Sequence, residues 1–289
     1  MNKLTNDQVI DFHREGFLTI DSLLNEEAVQ ELRDELDRVM AIGEEGYANR
    51  TPRPVLIRNM VSDAEQGCIF WQIVNIWEVS PAYRRLMYHP FIVQAISQLT
   101  GARELMVWHD QLLYKPPQAG GATRWHQDAP LWPIIRPMTP VSAWIPLDDT
   151  TVENGCMWMV PGSHQWGDQI AFLNTQTHLR TIEEFDRIEP FSPPFNAEIR
   201  DVRPQPRPVR CGAVSFHHSL TWHGAPQNLS GQPRRALAIS YMTGEARFVA
   251  SGQHVMKQYI SLQDGEPMSH AGPHFPVVLR DGLTVDPEA

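Results

Sequence analysis

The chain has 289 residues, 42% of them hydrophobic and 20% charged, and carries a formal net charge of -10. That length supplies a sizeable core, as one large β-rich domain or two ordinary ones, and the acidic balance argues against nucleic acid or an anionic membrane as partner, because phosphate recognition needs net or clustered positive charge. The opening segment MNKLTNDQVIDFHREG holds no apolar leader and no window of ~18 apolar residues follows, so a soluble, cytoplasmic protein is expected.

Helical signals dominate the first hundred residues. Thr5 and Gln8 stand at capping-box spacing ahead of Val9 and Phe12, and Gly16 closes the segment. Asn25 caps a second helix with Glu26 and Glu27 in its first turn, and Ala28, Val29, Leu32, Leu36 and Val39 follow at helical spacing. Residues 82–101 read as one further helix ending at Gly101. From residue 103 the pattern turns to short β-like runs between Pro and Gly turns: LMVWHDQLLYK, VSAWIPL, CMWMV, AVSF and ALAISYM. Such runs, without alternating helices, point to a sandwich or jelly roll.

Residues 167–210 interrupt the runs with weakly patterned sequence. Six prolines in EPFSPPFNAEIRDVRPQPRP exclude an interior strand, and a segment this long suggests a lid or binding loop. The expected organisation is therefore a single domain over 1–289. It has a helical layer at 1–100, a β core at 103–245 holding the lid-like insertion, and a C-terminal extension at 246–289. Cys68, Cys156 and Cys211 are too scattered for a zinc site or a disulfide framework, and read as reduced, mostly buried thiols.

The chemistry starts in RWHQDAPLW. His126 and Asp128 are two residues apart, so on a strand both side chains leave the same face and can reach one metal ion. His223, in SLTWHGAPQN, lies 95 residues after Asp128 and supplies a third ligand. Two histidines and a carboxylate form a facial triad that leaves three positions open, the arrangement of non-heme Fe(II) enzymes that hold a cosubstrate and O2. The usual cosubstrate, 2-oxoglutarate, has a distal carboxylate, which calls for a buried cation; a bidentate arginine suits it best. Arg234 follows His223 by eleven residues. Strand alternation puts Arg234 with Ala236, Ala238 and Ser240, a face with room for a ligand, and Arg235 with Leu237, Ile239 and Tyr241 on the other.

YKPP at 114–117, HQD at 126–128, Trp144 with PLD at 146–148, ENGCMWMVPGSH at 153–164 and HGAPQNLSGQPRR at 223–235 closely resemble the phytanoyl-CoA dioxygenase (PhyH) family. The resemblance spans roughly residues 5–245 and includes EGF at 15–17. It implies a mainly β, double-stranded β-helix fold (cupin-like) with N-terminal and flanking helices, and Fe(II)- and 2-oxoglutarate-dependent oxygenation with O2. Carried over by position, it implies that His126, Asp128 and His223 bind iron and that Arg234 holds the far carboxylate of 2-oxoglutarate. Gln127, Trp144, Gln111 and Lys115 fall where the family lines the cosubstrate pocket, and His109 shares the strand parity of the last two and is the candidate for facing substrate. Some members carry serine two residues after the distal histidine; Ala225 stands there, which removes one cosubstrate contact. Related halogenases have glycine or alanine at the carboxylate position, so the presence of Asp128 implies hydroxylation or a related oxidation.

Blander assignments compete at several positions. His217 and His218 rank below His223 as ligands, because neither has the eleven-residue step to Arg234. His109 and Asp110 point to opposite faces of a strand and make a poor second metal site. His164 reads as a loop anchor, and Asp148–Thr150 as a solvated turn. Trp125, Trp132 and Trp222 read equally as packing and as substrate wall. The family name is not a substrate prediction: the phosphates of a CoA ester need a basic cluster, and the acidic chain shows no obvious one, which favours a small organic metabolite. Two other functions fit the ligands, a non-catalytic metal- and 2-oxoglutarate-binding jelly roll, and a cupin-like isomerase or hydrolase using another divalent metal. Arg234 at its spacing opposes both.

Overall fold

The computed structural model describes residues 3–59, 69–137, 141–176, 181–189, 191 and 202–286. Cys68 and much of the proline-rich part of the 167–210 insertion lie outside the described residues. Helix α1 (Asn6–Glu15) begins with the expected reciprocal box, the Gln8 N–H donating to Thr5 Oγ1 and the Thr5 N–H to the Gln8 side chain. It stops at Gly16, whose φ of 87° is left-handed. Strand β1 (Phe17–Ile20) and helix α2 (Glu26–Tyr47), capped by Asn25, come next. Strands β2 (Leu56–Asn59) and β3 (Trp71–Val74) precede two short helices, α3 (Pro81–Met87) and α4 (Pro90–Thr100). The single helix expected over 82–101 is thereby corrected. Pro90 has no N–H to continue a helical ladder, so the chain breaks at His89 and starts again with proline at the first turn.

The chain then shuttles between two antiparallel sheets. Strand β4 (Leu105–Lys115) lies in the main sheet and β5 (Thr123–His126) in a smaller one, followed by the short β6 (Ile135–Arg136). β7 (Val141–Pro146) returns to the main sheet, while β8 (Met157–Met159) joins the smaller one. After helices α5 (Ile170–Leu173) and α6 (Ile182–Phe185) come β9 (Gln205–Arg207), β10 (Val214–His218), β11 (His223–Ala225) and β12 (Arg234–Thr243). The main sheet runs β1-β10-β7-β12-β4 and the smaller one β5-β11-β8-β9. This is a double-stranded β-helix, a half-barrel with helices on one side. β9 contains Pro206 and sits at a sheet edge, the place left for a strand proline. The segment after 246 adds β13 (Arg247–Phe248), β14 (Val277–Arg280) and β15 (Leu283–Thr284), and β14 pairs with the start of β4. Among the described residues no helix is long and apolar enough to cross a membrane.

Alternation separates the two faces of the main sheet. Leu112, Ile145, Val214, Phe216, Leu237 and Ile239 face α2–α4 and form one core with Val29, Leu36, Tyr83 and Ile96. The other face looks into the barrel. Register puts His217, Ser142, Ser240 and His109 in one row across it, and Ser215, Trp144, Ala238 and Gln111 in the next. Arg234 and Lys115 are opposed at the end of the same face. Ala236, Ala238 and Ser240 put small side chains on this face of β12, where Ala236 and Ala238 pack beside Trp144, Met157 and Met159.

Candidate metal and cosubstrate site

His126 ends β5 and His223 begins β11, and the two are directly paired in the smaller sheet. Their rings stand 4.1 Å apart between centroids. Each Nδ1 faces the carbonyl two residues earlier, His126 that of Arg124 at 2.8 Å and His223 that of Thr221 at 2.9 Å. An Nδ1–H donating to a carbonyl fixes the tautomer and leaves Nε2 as a free lone pair, the usual preparation of a metal-binding histidine. Both Nε2 atoms approach the same oxygen, Asp128 Oδ1, at 3.5 and 3.6 Å. Asp128 leaves the strand in a turn whose N–H groups, from Asp128 and Ala129, both donate to the Ser219 carbonyl. These three ligand atoms lie within 4.8 Å of one another, and the three residues are the one such group among the described residues.

Protonation suits a cation. Burial would raise the Asp128 carboxyl, but His223, His126 and His217 outweigh it and hold the group well below the usual carboxylate range. Burial, reinforced by His126, pushes His223 down to about 3. An ionised carboxylate and a neutral imidazole are the forms that bind metal. Burial pulls His126 down as well, yet Asp128 beside it leaves its pKa raised, so there a metal competes with a proton.

The second half of the site is a pair of buried cations. Arg234 and Lys115 are neighbours across β12 and β4, and both are buried. Among the described residues neither forms an ion pair with a carboxylate. Lys115 Nζ donates to the carbonyls of Ala225 at 3.2 Å and Pro226 at 2.7 Å, and Arg234 Nε has no hydrogen-bond partner among the described residues. The guanidinium lies 5.1 Å over the Trp144 ring. Burial pushes Arg234 down to about 10, and burial with the Arg234 charge drives Lys115 well below its ordinary value. Burial and mutual repulsion thus disfavour the charged forms of the pair, and a carboxylate placed against them would favour those forms again. The donor set therefore fits both Fe(II) and the far end of 2-oxoglutarate.

Other expected residues take different positions. Gln111, on the inner face, accepts from the Gln72 amide and turns its own amide to His109 at 3.5 Å. His109 is pushed down to about 3 by burial and then by His254; it stacks on His254 and meets the edge of Trp132 at 5.5 Å. Gln127 is not brought to the cosubstrate pocket. Its side chain leaves the opposite face of the strand, donates to the Gly167 and Leu220 carbonyls and accepts from the Gln169 N–H, so both amide ends are committed to the 167–169 loop. Trp222 and Trp125 likewise face away, into a cluster with Phe185 and Phe191, and are not substrate wall. Asp148 is no solvated acid, since Arg235 grips it at 2.7 and 2.9 Å. Asp110 accepts from the Ile76 and Trp77 N–H groups on the outer face, and His164 anchors its loop to the His13 carbonyl, as expected. Cys156 is buried and Cys211 half-buried.

Sequence reasoning missed the role of His217. Its Nε2 lies 3.0 Å from Asp128 Oδ2. The strand parity of β10 could have flagged it, because His217 shares the inward face with Ser215. Gly224, between the two parts of the site, admits no side chain: a Cβ there would stand 2.9 Å from the Phe185 ring and 3.0 Å from the Thr123 carbonyl. Gly224→Ala is expected to destabilise the fold by about 1–3 kcal/mol through overpacking, read as a lowered melting midpoint, and to weaken metal binding because His223 is the preceding residue.

A half-barrel that brings two histidines and a carboxylate together, with a buried arginine and lysine paired on its other sheet, defines the non-heme Fe(II), 2-oxoglutarate-dependent oxygenases. Comparison with known families matches residues 12–236 to phytanoyl-CoA dioxygenase (PhyH), and the chain belongs to that family as an Fe(II)- and 2-oxoglutarate-dependent dioxygenase. It is 27% identical over 249 residues to the ectoine dioxygenase of Bordetella parapertussis, covering 84% of this chain and 76% of that one. Among solved structures it is similar to SnoK, a non-heme α-ketoglutarate-dependent carbocyclase from nogalamycin biosynthesis (TM-score 0.70, 26% identity, covering 95% and 96% of the two chains). The structure of EctD from S. alaskensis with 2-oxoglutarate and 5-hydroxyectoine shares the fold (TM-score 0.65, 19% identity, 91% and 85%).

Proposed function

We propose that the protein hydroxylates an unactivated C–H bond of a small organic metabolite, releasing succinate and CO2, as a single domain working in the cytoplasm. The observation that carries this reading is the triad with its carboxylate in place, joined to the Arg234–Lys115 pair by the bonds from Lys115 Nζ to the carbonyls of Ala225 and Pro226, two and three residues after His223. His126, Asp128 and His223 would hold the iron. Arg234, helped by Lys115, would clamp the distal carboxylate of 2-oxoglutarate and so orient its keto-acid end toward the ion, while Trp144 walls the pocket between them. Gln111 and Gln72 keep the His109 imidazole facing inward, where His109 and Trp132 would meet substrate. Bound iron, 2-oxoglutarate and O2 supply the oxidising chemistry, and the protein supplies position and a dry cavity. The acidic chain favours a substrate without phosphates.

A second outcome, ring closure or another rearrangement of the same substrate radical, is favoured by the similarity to a carbocyclase. Isotope labelling separates the two. A metabolite library is screened for compounds that stimulate succinate release, and the product is then formed under 18O2. Hydroxylation adds one labelled oxygen; ring closure or desaturation gives an unlabelled product two mass units lighter. A third check addresses the non-oxygenase readings: anaerobic addition of Fe(II) and 2-oxoglutarate should give the weak visible band of the chelate. A colourless protein that turns over with zinc or manganese instead would count against oxygenation.

A further inference from the structure

We infer that His217 is a positioning residue for the metal carboxylate, holding the outer oxygen of Asp128 so that the group offers a single oxygen to the ion. The two carboxylate oxygens have different neighbours. Oδ1 is approached by the Nε2 atoms of His126 and His223, at 3.5 and 3.6 Å, whereas Oδ2 lies 3.0 Å from His217 Nε2. His217 is 2% exposed, and its buried Nδ1 has no partner among the described residues. A hydrogen on Nδ1 would be an unsatisfied buried donor, so the hydrogen belongs on Nε2, which donates to Asp128.

The ring has little freedom to leave. Register sets His217 opposite Ser142 on β7 and Phe17 on β1, and its ring lies 4.8 Å from that of His223. Two residues further on, the Ser219 carbonyl accepts from the Asp128 and Ala129 N–H groups. Residues 217–219 therefore hold the Asp128 turn by main chain and its carboxylate by side chain. The consequence concerns coordination number. A facial triad leaves three places open only if the carboxylate takes one, and 2-oxoglutarate with O2 needs all three. A donor on Oδ2 opposes bidentate binding and so preserves the third place.

The inference rests on His126, Asp128 and His223 being the metal ligands, and the test keeps the two apart. Wild type, His217→Phe, His217→Leu and His217→Gln are titrated anaerobically with Fe(II) by calorimetry, and then with 2-oxoglutarate while the chelate band is recorded. The apolar variants are expected to lose about 10- to 100-fold in metal affinity, the usual cost of removing an outer partner of a ligand, and to give a displaced or weakened band. His217→Gln keeps an N–H donor and should recover most of the affinity. Apolar variants that melt cooperatively and bind Fe(II) within twofold of wild type overturn the positioning role alone, as does a Gln variant as weak as the Phe variant. Should the apolar variants not fold, a Gln variant that loses tenfold or more overturns it equally. A wild type that binds no Fe(II) overturns the site assignment itself.

Discussion

Replacing Asp128 with alanine is expected to abolish metal binding and succinate formation together. The carboxylate supplies the one formal charge among the three ligands, and both histidine Nε2 atoms converge on its Oδ1. Without it the ion meets two neutral imidazoles and the Nε2–H of His217, a donor that opposes a cation. The loss in affinity should exceed the ~10- to 100-fold typical of losing an outer partner. The fold should survive, because the turn itself is held by main-chain bonds to Ser219 rather than by the carboxylate. Anaerobic Fe(II) titration and a succinate assay on the same preparation check this. His126→Ala should behave alike, and turnover at the wild-type rate in either variant would refute the triad.

Arg234→Met should separate stability from cosubstrate binding, moving them in opposite directions. Without cosubstrate the buried guanidinium has no carboxylate partner among the described residues and faces the Lys115 ammonium. An apolar side chain of similar length removes that repulsion and the desolvation cost, so the melting temperature of the protein alone should hold or rise. Some contact with the Trp144 ring is lost, which limits the gain. Affinity for 2-oxoglutarate should fall by about 2–5 kcal/mol, the cost of truncating one member of a buried charge pair. That corresponds to roughly 30- to 4,000-fold. Thermal melts with increasing 2-oxoglutarate read both effects: the wild-type midpoint climbs by mass action, and that of the variant stays flat. An unchanged cosubstrate affinity would remove Arg234 from its assigned role.

Legibility in the sequence followed the range of the forces involved. Thr5 with Gln8, Gly16 and Asn25 act within one helical turn, and each does in the fold what its local spacing implies. The break at Pro90 was equally local. There a continuous apolar pattern across 82–101 masked the missing N–H of the proline, and the backbone rule prevailed. Asp148 looked like a solvated turn because its partner, Arg235, lies 87 residues away. Gln127 carried a motif position, but its amide is satisfied by a loop whose path no pattern disclosed.

By itself the sequence pointed to the candidate ligands and to the faces of the strands. Alternation on β12 assigns Arg234 inward and Arg235 outward because a strand has a period of two, whatever surrounds it. The spacing of His126 and Asp128 lets both reach one ion, and the requirement of a third ligand points to His223. Tertiary structure alone decided how the carboxylate is held. The His217–Asp128 bond joins residues 89 apart, one on β10 and the other in the turn after β5, and the Arg234–Lys115 juxtaposition depends on the register between β12 and β4. Neither follows from local propensity, because closing such loops is repaid only by the packing of the whole barrel. The same holds for β14, which joins the main sheet by pairing with the start of β4.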